Sequence, residues 1–259
     1  MADDDGLLAY DDTGSGPPLV LVHGLTFSRR TWDPAVERLA DRFRCVAVDL
    51  PGHGDSSGSG ADPLQVVDRL HATLEAIGVA DPVVVGHSAG TMVALGYGAR
   101  YPVRGVVDVD QPLVVGPFAG FVQQLADALH GPDFGAAFAP FEESIGVDRL
   151  PEPERTRVVG TRQVEQAVVL DHWHTPLTTP PPQMQALVDG LLDAVTTPFL
   201  YVAAEEPPAP VREHLAAHLD DLEVVVMPPG GGHLAHLAHP DRFAEVLAGF
   251  AGRVVPPEA

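Results

Sequence analysis

A serine stands between two glycines in Gly86-His87-Ser88-Ala89-Gly90. The apolar run Val83-Val84-Val85 precedes it, and the stretch that follows, Thr91 to Arg100, reads as a helix. A serine hydroxyl is a useful nucleophile only when a base takes its proton and the backbone holds the oxygen clear of its neighbours. A sharp strand-to-helix turn meets the second need by forcing Ser88 into a strained conformation. Such a turn crowds its flanks, which accounts for glycine at positions 86 and 90. The amide of Ala89 then sits at a helix N-terminus, where unpaired N–H groups and the helix dipole favour an oxyanion. The pattern therefore predicts a serine nucleophile with an oxyanion donor built into the same turn.

The elements that must carry this turn can be read along the chain. Leu7 to Tyr10 is a short strand candidate, and Leu19-Val20-Leu21-Val22 is a buried-strand candidate ending at His23-Gly24-Leu25. Trp32, Ala35, Val36, Leu39 and Ala40 recur at helical spacing, and Cys45 to Val48 reads as the next buried strand, closing on Asp49. A loop follows from Leu50 to Ser57, then a helical pattern from Pro63 to Ile77. Gly105 to Asp110 is a further strand. Alternating helices and β-branched strands predict a mostly parallel, doubly wound α/β sheet. From Gln111 to about Val195 the strand signal disappears and helical segments take over, so residues 111–195 are expected to be a helical insertion into a core of 1–110 and 196–259. The Thr/Pro tract Pro176 to Pro182 is expected to be neither regular helix nor central strand. The sheet resumes at Phe199 to Ala203, Val211 to Leu219 is helical, Glu223 to Met227 is the last strand, and Pro240 to Phe250 is a closing helix.

The 259 residues suffice for one α/β domain with a full core. The formal charge is −21, from 36 acidic and 15 basic residues, all of the latter arginine. Such an acidic balance argues against nucleic acid or an anionic membrane as partner. The one cysteine, Cys45, lies in an apolar run and is expected to be a buried structural thiol; no intramolecular disulfide is possible, which fits a reducing, cytoplasmic setting. The opening Met1-Ala2-Asp3-Asp4-Asp5 lacks the basic and apolar regions of a signal peptide, and no apolar run approaches the ~20 residues of a membrane span.

Four motifs in order, His23-Gly24 after a strand, Asp49-Leu50-Pro51-Gly52-His53-Gly54, Gly86-His87-Ser88-Ala89-Gly90 and Gly232-His233 near the end, make the chain resemble the α/β-hydrolase fold in its serine-nucleophile branch with a helical cap. The resemblance covers nearly the whole length, and the short N-terminus implies that the family's first edge strand is missing. By this resemblance His233 is the base, in a Gly-rich loop after the last strand, and the amides of Leu25 and Ala89 form the oxyanion hole. His233, His236 and His239 recur every three residues, which is also a metal-like spacing, but no nearby carboxylate has an obvious ligand role. No metal or organic cofactor is expected. Asp49 to Ser57, with Asp55, is expected to shape the sheet edge.

The acid has two candidate positions. The family usually places an aspartate after the strand that here is Phe199 to Ala203, yet this chain reads Ala204-Glu205-Glu206-Pro207. A one-residue shift offers Glu206. In some relatives the acid follows the preceding strand, and there the chain has Asp110, at the strand end that faces the catalytic edge of a parallel sheet. Asp110 is preferred, Glu206 or Glu205 is the alternative, and Asp108, deeper in the strand, ranks below. The acid would hold His233 in the correct tautomer and stabilise its imidazolium.

The resemblance then implies an esterase or lactonase working through an acyl-enzyme, with a small hydrophobic ester or related carbonyl compound as substrate. Ser88 sets the chain apart from haloalkane dehalogenases and epoxide hydrolases of this fold, which attack with an aspartate. A carbon–carbon hydrolase of ring-cleavage diketones is the next reading, then a non-hydrolytic cyclase or lyase, or a ligand-binding member. Trp32, Phe118, Phe121, Phe134, Phe138, Phe141 and Trp173 are candidate pocket, cap or core residues, and Gln111 and His172 candidate polar contacts.

Overall fold

A computed structural model describes residues 6–254. Seven strands form one sheet: β1 (Tyr10–Thr13), β2 (Pro18–Val22), β3 (Arg44–Val48), β4 (Val83–His87), β5 (Gly105–Val109), β6 (Phe199–Ala203) and β7 (Leu222–Val226). Their spatial order is β1-β3-β2-β4-β5-β6-β7. Every pairing is parallel except β1 with β3, where Tyr10 lies opposite Val48 and Thr13 opposite Cys45. The first strand thus begins where the predicted Leu7 to Tyr10 run ends, as an antiparallel edge.

Helices flank both faces, as buried parallel strands require. α1 (Asp33–Leu39), α2 (Pro63–Ala76) and α3 (Ala89–Arg100) come before β5; α11 (Ala209–His218) lies between β6 and β7; α12 (Ala235–Ala238) and α13 (Pro240–Val254) close the chain. Side-chain alternation along each strand splits the core. Val20, Val22, Val84 and Val106 pack on one face with α2 residues Val67 and Leu70, whereas Leu19, Leu21, Val83, Val85 and Val107 pack on the other with α13 residues Phe243 and Leu247. Cys45 is buried in the second layer, where burial pushes its thiol up to about 12. Trp32 is fully buried in that layer too, so it is a core residue.

Between β5 and β6 lie only helices: α4 (Gly116–Gln124), α5 (Ala126–His130), α6 (Phe134–Ile145), α7 (Glu154–Thr161), α8 (Gln166–His172), α9 (His174–Thr178) and α10 (Pro181–Ala194). Phe138 and Trp173 form an apolar cluster with Val122, Leu129 and Val169, flanked by Phe134 and Phe141. α10 behaves differently. Its Val188 and Leu192 enter the main core layer beside Leu95 of α3.

The Thr/Pro tract departs from expectation. Pro176 lies in the first turn of α9, and Pro181 and Pro182 open α10. A proline in a helix's first turn lacks only an N–H that would have no intrahelical partner. The break is confined to Thr179 and Pro180, both extended in ψ. Among the described residues no helix is long and apolar enough to cross a membrane.

Candidate active site

β4 and β5 deliver two residues side by side. Their register pairs His87 with Val109, so Ser88 and Asp110 leave adjacent strands together at the C-terminal edge. The backbone confirms the junction: the Ser88 N–H donates to Val109 O at 3.1 Å, and the Asp110 N–H to Val202 O at 2.9 Å. Both residues have left-handed φ values, 51° at Ser88 and 57° at Asp110. Positive φ in a non-glycine residue costs free energy and marks places where the surroundings over-determine the backbone.

The flanking glycines follow from contact distances. A Cβ on Gly86 would stand 2.4 Å from Gly90 O, and one on Gly90 would stand 2.4 Å from Val22 O. Neither partner can yield, because both are backbone. The same packing brings the His23-Gly24 loop against the elbow, since a Cβ on Gly24 would lie 3.0 Å from that of Ser88. Leu25 and Ala89, whose amides are the expected oxyanion donors, belong to the apolar cluster formed by Phe138 and Trp173.

Asp110 and His233 meet. Asp110 Oδ2 lies 2.9 Å from His233 Nδ1, with side chains 19% and 22% exposed. The other oxygen, Oδ1, accepts from the Ala204 N–H at 2.8 Å, so the carboxylate is fixed to the end of β6 as well. A carboxylate on Nδ1 selects the tautomer protonated there and leaves Nε2 as the basic nitrogen. Glu206, the alternative acid, is brought elsewhere. It is 65% exposed and pairs with Arg212 on α11. Glu205 is exposed too.

Asp108 lies one pleat deeper and is fully buried. Its Oδ1 accepts from the Gln111 N–H at 2.9 Å and from Thr91 Oγ1 at 3.0 Å. Burial pushes its carboxyl well above the ordinary value, favouring the protonated form, while the Gln111 and Thr91 hydrogen bonds oppose this. Asp108 therefore ties the turn after Asp110 to the first turn of α3.

His87 has a placement that the motif alone did not signal. Its Nε2 donates to His233 O at 3.0 Å, joining the histidine loop to the residue before Ser88. Burial, then the neighbouring His236 and His233, hold its pKa far below the usual range, so the ring is neutral. His236 is buried behind it, 4.4 Å away between ring centres, and is pushed down to about 3, mainly by burial. His239 instead contacts Pro229 O. The three regularly spaced histidines thus do not converge: His233 meets Asp110, His239 meets Pro229 O, and His236 packs among rings with neither nitrogen hydrogen-bonded.

The Asp49 to Ser57 loop is a support. His23 donates from Nδ1 to Gly24 O at 2.7 Å and accepts the Leu50 N–H on Nε2 at 3.0 Å. His53 Nε2 accepts the Thr26 N–H at 3.0 Å. Asp49 is fully buried, accepts the Arg29 and Asp55 N–H groups, and pairs with the Arg29 guanidinium. Asp55 is a second carboxylate on Arg29. The helical insertion adds its own ties: His172 donates to Pro51 O at 2.8 Å, and Arg162 donates to Thr26 Oγ1 at 2.8 Å.

Comparison with known proteins agrees with this architecture. The model of the alpha/beta hydrolase family matches residues 19–246. The chain is 31% identical over 274 residues to a pimeloyl-[acyl-carrier protein] methyl ester esterase of Stenotrophomonas maltophilia, covering 95% of this chain and 97% of that one. A crystal structure of a hydrolase from Pseudomonas aeruginosa superposes with a TM-score of 0.78 at 22% identity, covering 97% of both chains. E-2-(acetamidomethylene)succinate hydrolase gives a TM-score of 0.73 at 21% identity over 95% of both. The chain belongs to the alpha/beta hydrolase family.

Proposed function

We propose that the protein is a serine hydrolase that cleaves a carboxylic ester or lactone through an acyl-enzyme. The observation that carries this reading is the 2.9 Å contact of His233 Nδ1 with Asp110, at the sheet edge where Ser88 leaves the adjacent strand. In the proposed cycle His233 Nε2 takes the Ser88 proton as Oγ attacks the carbonyl carbon. The amides of Leu25 and Ala89 hold the tetrahedral oxyanion, a contribution of about 3 kcal/mol per donor in comparable sites. The imidazolium, stabilised by Asp110, gives its proton to the leaving alcohol. Water then enters, His233 activates it, and the acid leaves with regeneration of Ser88.

The helices from α4 to α9 act as the cap. Phe138, Phe141 and Trp173 lie within 6 Å of one another between ring centres, in the cluster that also contains Leu25 and Ala89. An aromatic wall over the oxyanion residues favours an apolar acyl or alcohol group, which gains free energy by leaving water. The similarity to an acyl-carrier-protein methyl ester esterase supports the ester reading.

The test is turnover of a panel of 4-nitrophenyl esters of rising chain length, lactones and diketones in ¹⁸O-water. The expected result is faster cleavage of medium-chain than of acetyl esters, with solvent oxygen in the acid product. Diketone cleavage without ester cleavage would replace this reading by carbon–carbon hydrolysis. Product formation without solvent oxygen would replace it by a lyase or cyclase.

A further inference from the structure

A second group of chemistry-bearing residues lies on the facing sides of α10 and α11. Asp189 and Asp193 are one turn apart on α10, and His214 and His218 are one turn apart on α11. An i, i+4 spacing puts each pair on one helix face. The helices bring the faces together: His214 Nε2 is 3.2 Å from Asp189 Oδ1, and His218 Nδ1 is 2.7 Å from Asp193 Oδ1. The two imidazoles are 4.8 Å apart between ring centres. One donor atom from each of Asp189, His214 and His218 lies within 4.8 Å of the others.

We propose that Asp189, His214 and His218 form a zinc-type divalent metal site, bordered by Asp193, that cross-links α10 to α11. Two imidazoles and a carboxylate are a donor set suited to zinc, with a fourth position for water or Asp193. Zinc bonds of about 2.0–2.1 Å place tetrahedral ligands roughly 3.4 Å apart, so the present spread closes with side-chain adjustments of about 1 Å. The three side chains are 20–30% exposed, which leaves an entry path while keeping bulk water from surrounding them.

The surroundings resemble an organised site more than a chance surface pair. Gln185, one turn before Asp189, donates to Asp189 Oδ1 at 2.7 Å. Its carbonyl oxygen accepts the Val115 and Gly116 N–H groups at 2.7 and 3.2 Å. The carboxylate ligand is thereby oriented by an outer hydrogen bond, a recurrent feature of metal sites. The same amide holds the start of α4, where the chain enters the helical insertion. The site shares no residue with the Ser88 group, so its role is structural: it fastens α11 to α10 and, through Gln185, steadies the base of the insertion.

The test is titration of the full chain with Zn²⁺ in competition with a chromogenic chelator, repeated with Co²⁺ to read the ligand-field spectrum. The expected result is one Zn²⁺ per chain, with His214→Ala and His218→Ala each weakening binding by at least about tenfold. Zn²⁺ should raise Tm in the parent and in the surface control His130→Ala, and leave Tm unchanged in the His214→Ala/His218→Ala double variant. Equal stoichiometry and affinity in the double variant would overturn the proposal, because the metal would then sit elsewhere. Absence of stoichiometric binding by the parent in the micromolar range would also overturn it.

Discussion

At the residue scale, two carboxylates of one strand have opposite environments. Asp110 sits at the rim, partly exposed, and holds His233 and the Ala204 amide. Asp108 is sealed below, where burial favours its neutral form. Only Asp110 is suited to stabilising a cation, while Asp108 organises the turn that carries it. Asp108→Asn keeps an acceptor for Gln111 and Thr91 without a charge to bury, so stability near pH 7.5 should stay within about 1 kcal/mol of the parent. Asp108→Ala strands the part-buried Gln111 N–H, while the Thr91 hydroxyl keeps Gly86 O as its acceptor, and should cost about 1–3 kcal/mol. Denaturant unfolding of the two variants measures the difference; equal losses would contradict the assignment of Asp108 as a hydrogen-bond acceptor for this turn.

At the element scale, the site depends on strand ends and on what holds the loops above them. β4 and β5 fix Ser88 against Asp110 through their register, but His233 comes from a loop more than a hundred residues away in sequence. His87 supplies a hydrogen bond that ties that loop to the elbow. His87→Ala should lower kcat about 10- to 100-fold with KM close to the parent's, because a small displacement of the base harms the transition state more than substrate binding. His87→Gln, which retains an N–H donor, should recover part of the loss; equal kcat in His87→Ala and the parent would remove His87 from the positioning role. The sequence carried the elbow clearly, since glycine requirements and strand-helix context are local. It also carried both candidates for the acid and preferred Asp110; that Asp110 lies against His233 while Glu206 pairs with Arg212 is visible only in the fold. The hydrogen bond of His87 is hidden in the sequence because its partner lies 146 residues away, and that of Asp108 because strand alternation does not say which side chain turns back onto Gln111 and Thr91. The opening of α10 was misread because a proline-rich tract resembles a break until its prolines fall in first turns.

At the scale of the whole molecule, histidines with lowered pKa values are packed around the site, in the core loops and in the helical insertion. Burial pushes His53 down to about 4 and His236 to about 3, and lowers His23, His87 and His172 from the ordinary 6.5. In the window between these values and about 6.5 the unfolded chain binds protons that the folded chain does not. Stability must therefore fall as pH is lowered through that window. Asp108 acts with the opposite sign, since its raised pKa makes the folded chain the better proton binder above 3.8. Asp33, also raised by burial, acts the same way; these are two groups against five, so Tm should drop between about pH 7.5 and about pH 5, more steeply in the lower half of the range. A Tm that stays flat or rises on acidification would contradict burial of these rings in neutral form. The alternation of strands and helices made the architecture readable in the sequence. The two-sided core split, with α10 joining one layer and the other helices of 111–195 packing in two separate clusters, one around Phe138 and Trp173 and one joining Val158 to Leu234, is not readable, because helical periodicity gives a face but not its partner.

In the proposed mechanism Ser88 is an activated nucleophile whose base, His233, is oriented by Asp110. Intact-mass analysis after treatment with a fluorophosphonate, followed by peptide mapping, tests it directly on the parent and on Asp110→Asn, Glu206→Gln and His233→Ala. The expected result is a single adduct on Ser88, unchanged in rate for Glu206→Gln, slowed by about 10³- to 10⁴-fold for Asp110→Asn, and lost for His233→Ala. An adduct at another residue, or labelling that Asp110→Asn leaves untouched while Glu206→Gln abolishes it, would overturn the assignment of Ser88 and Asp110.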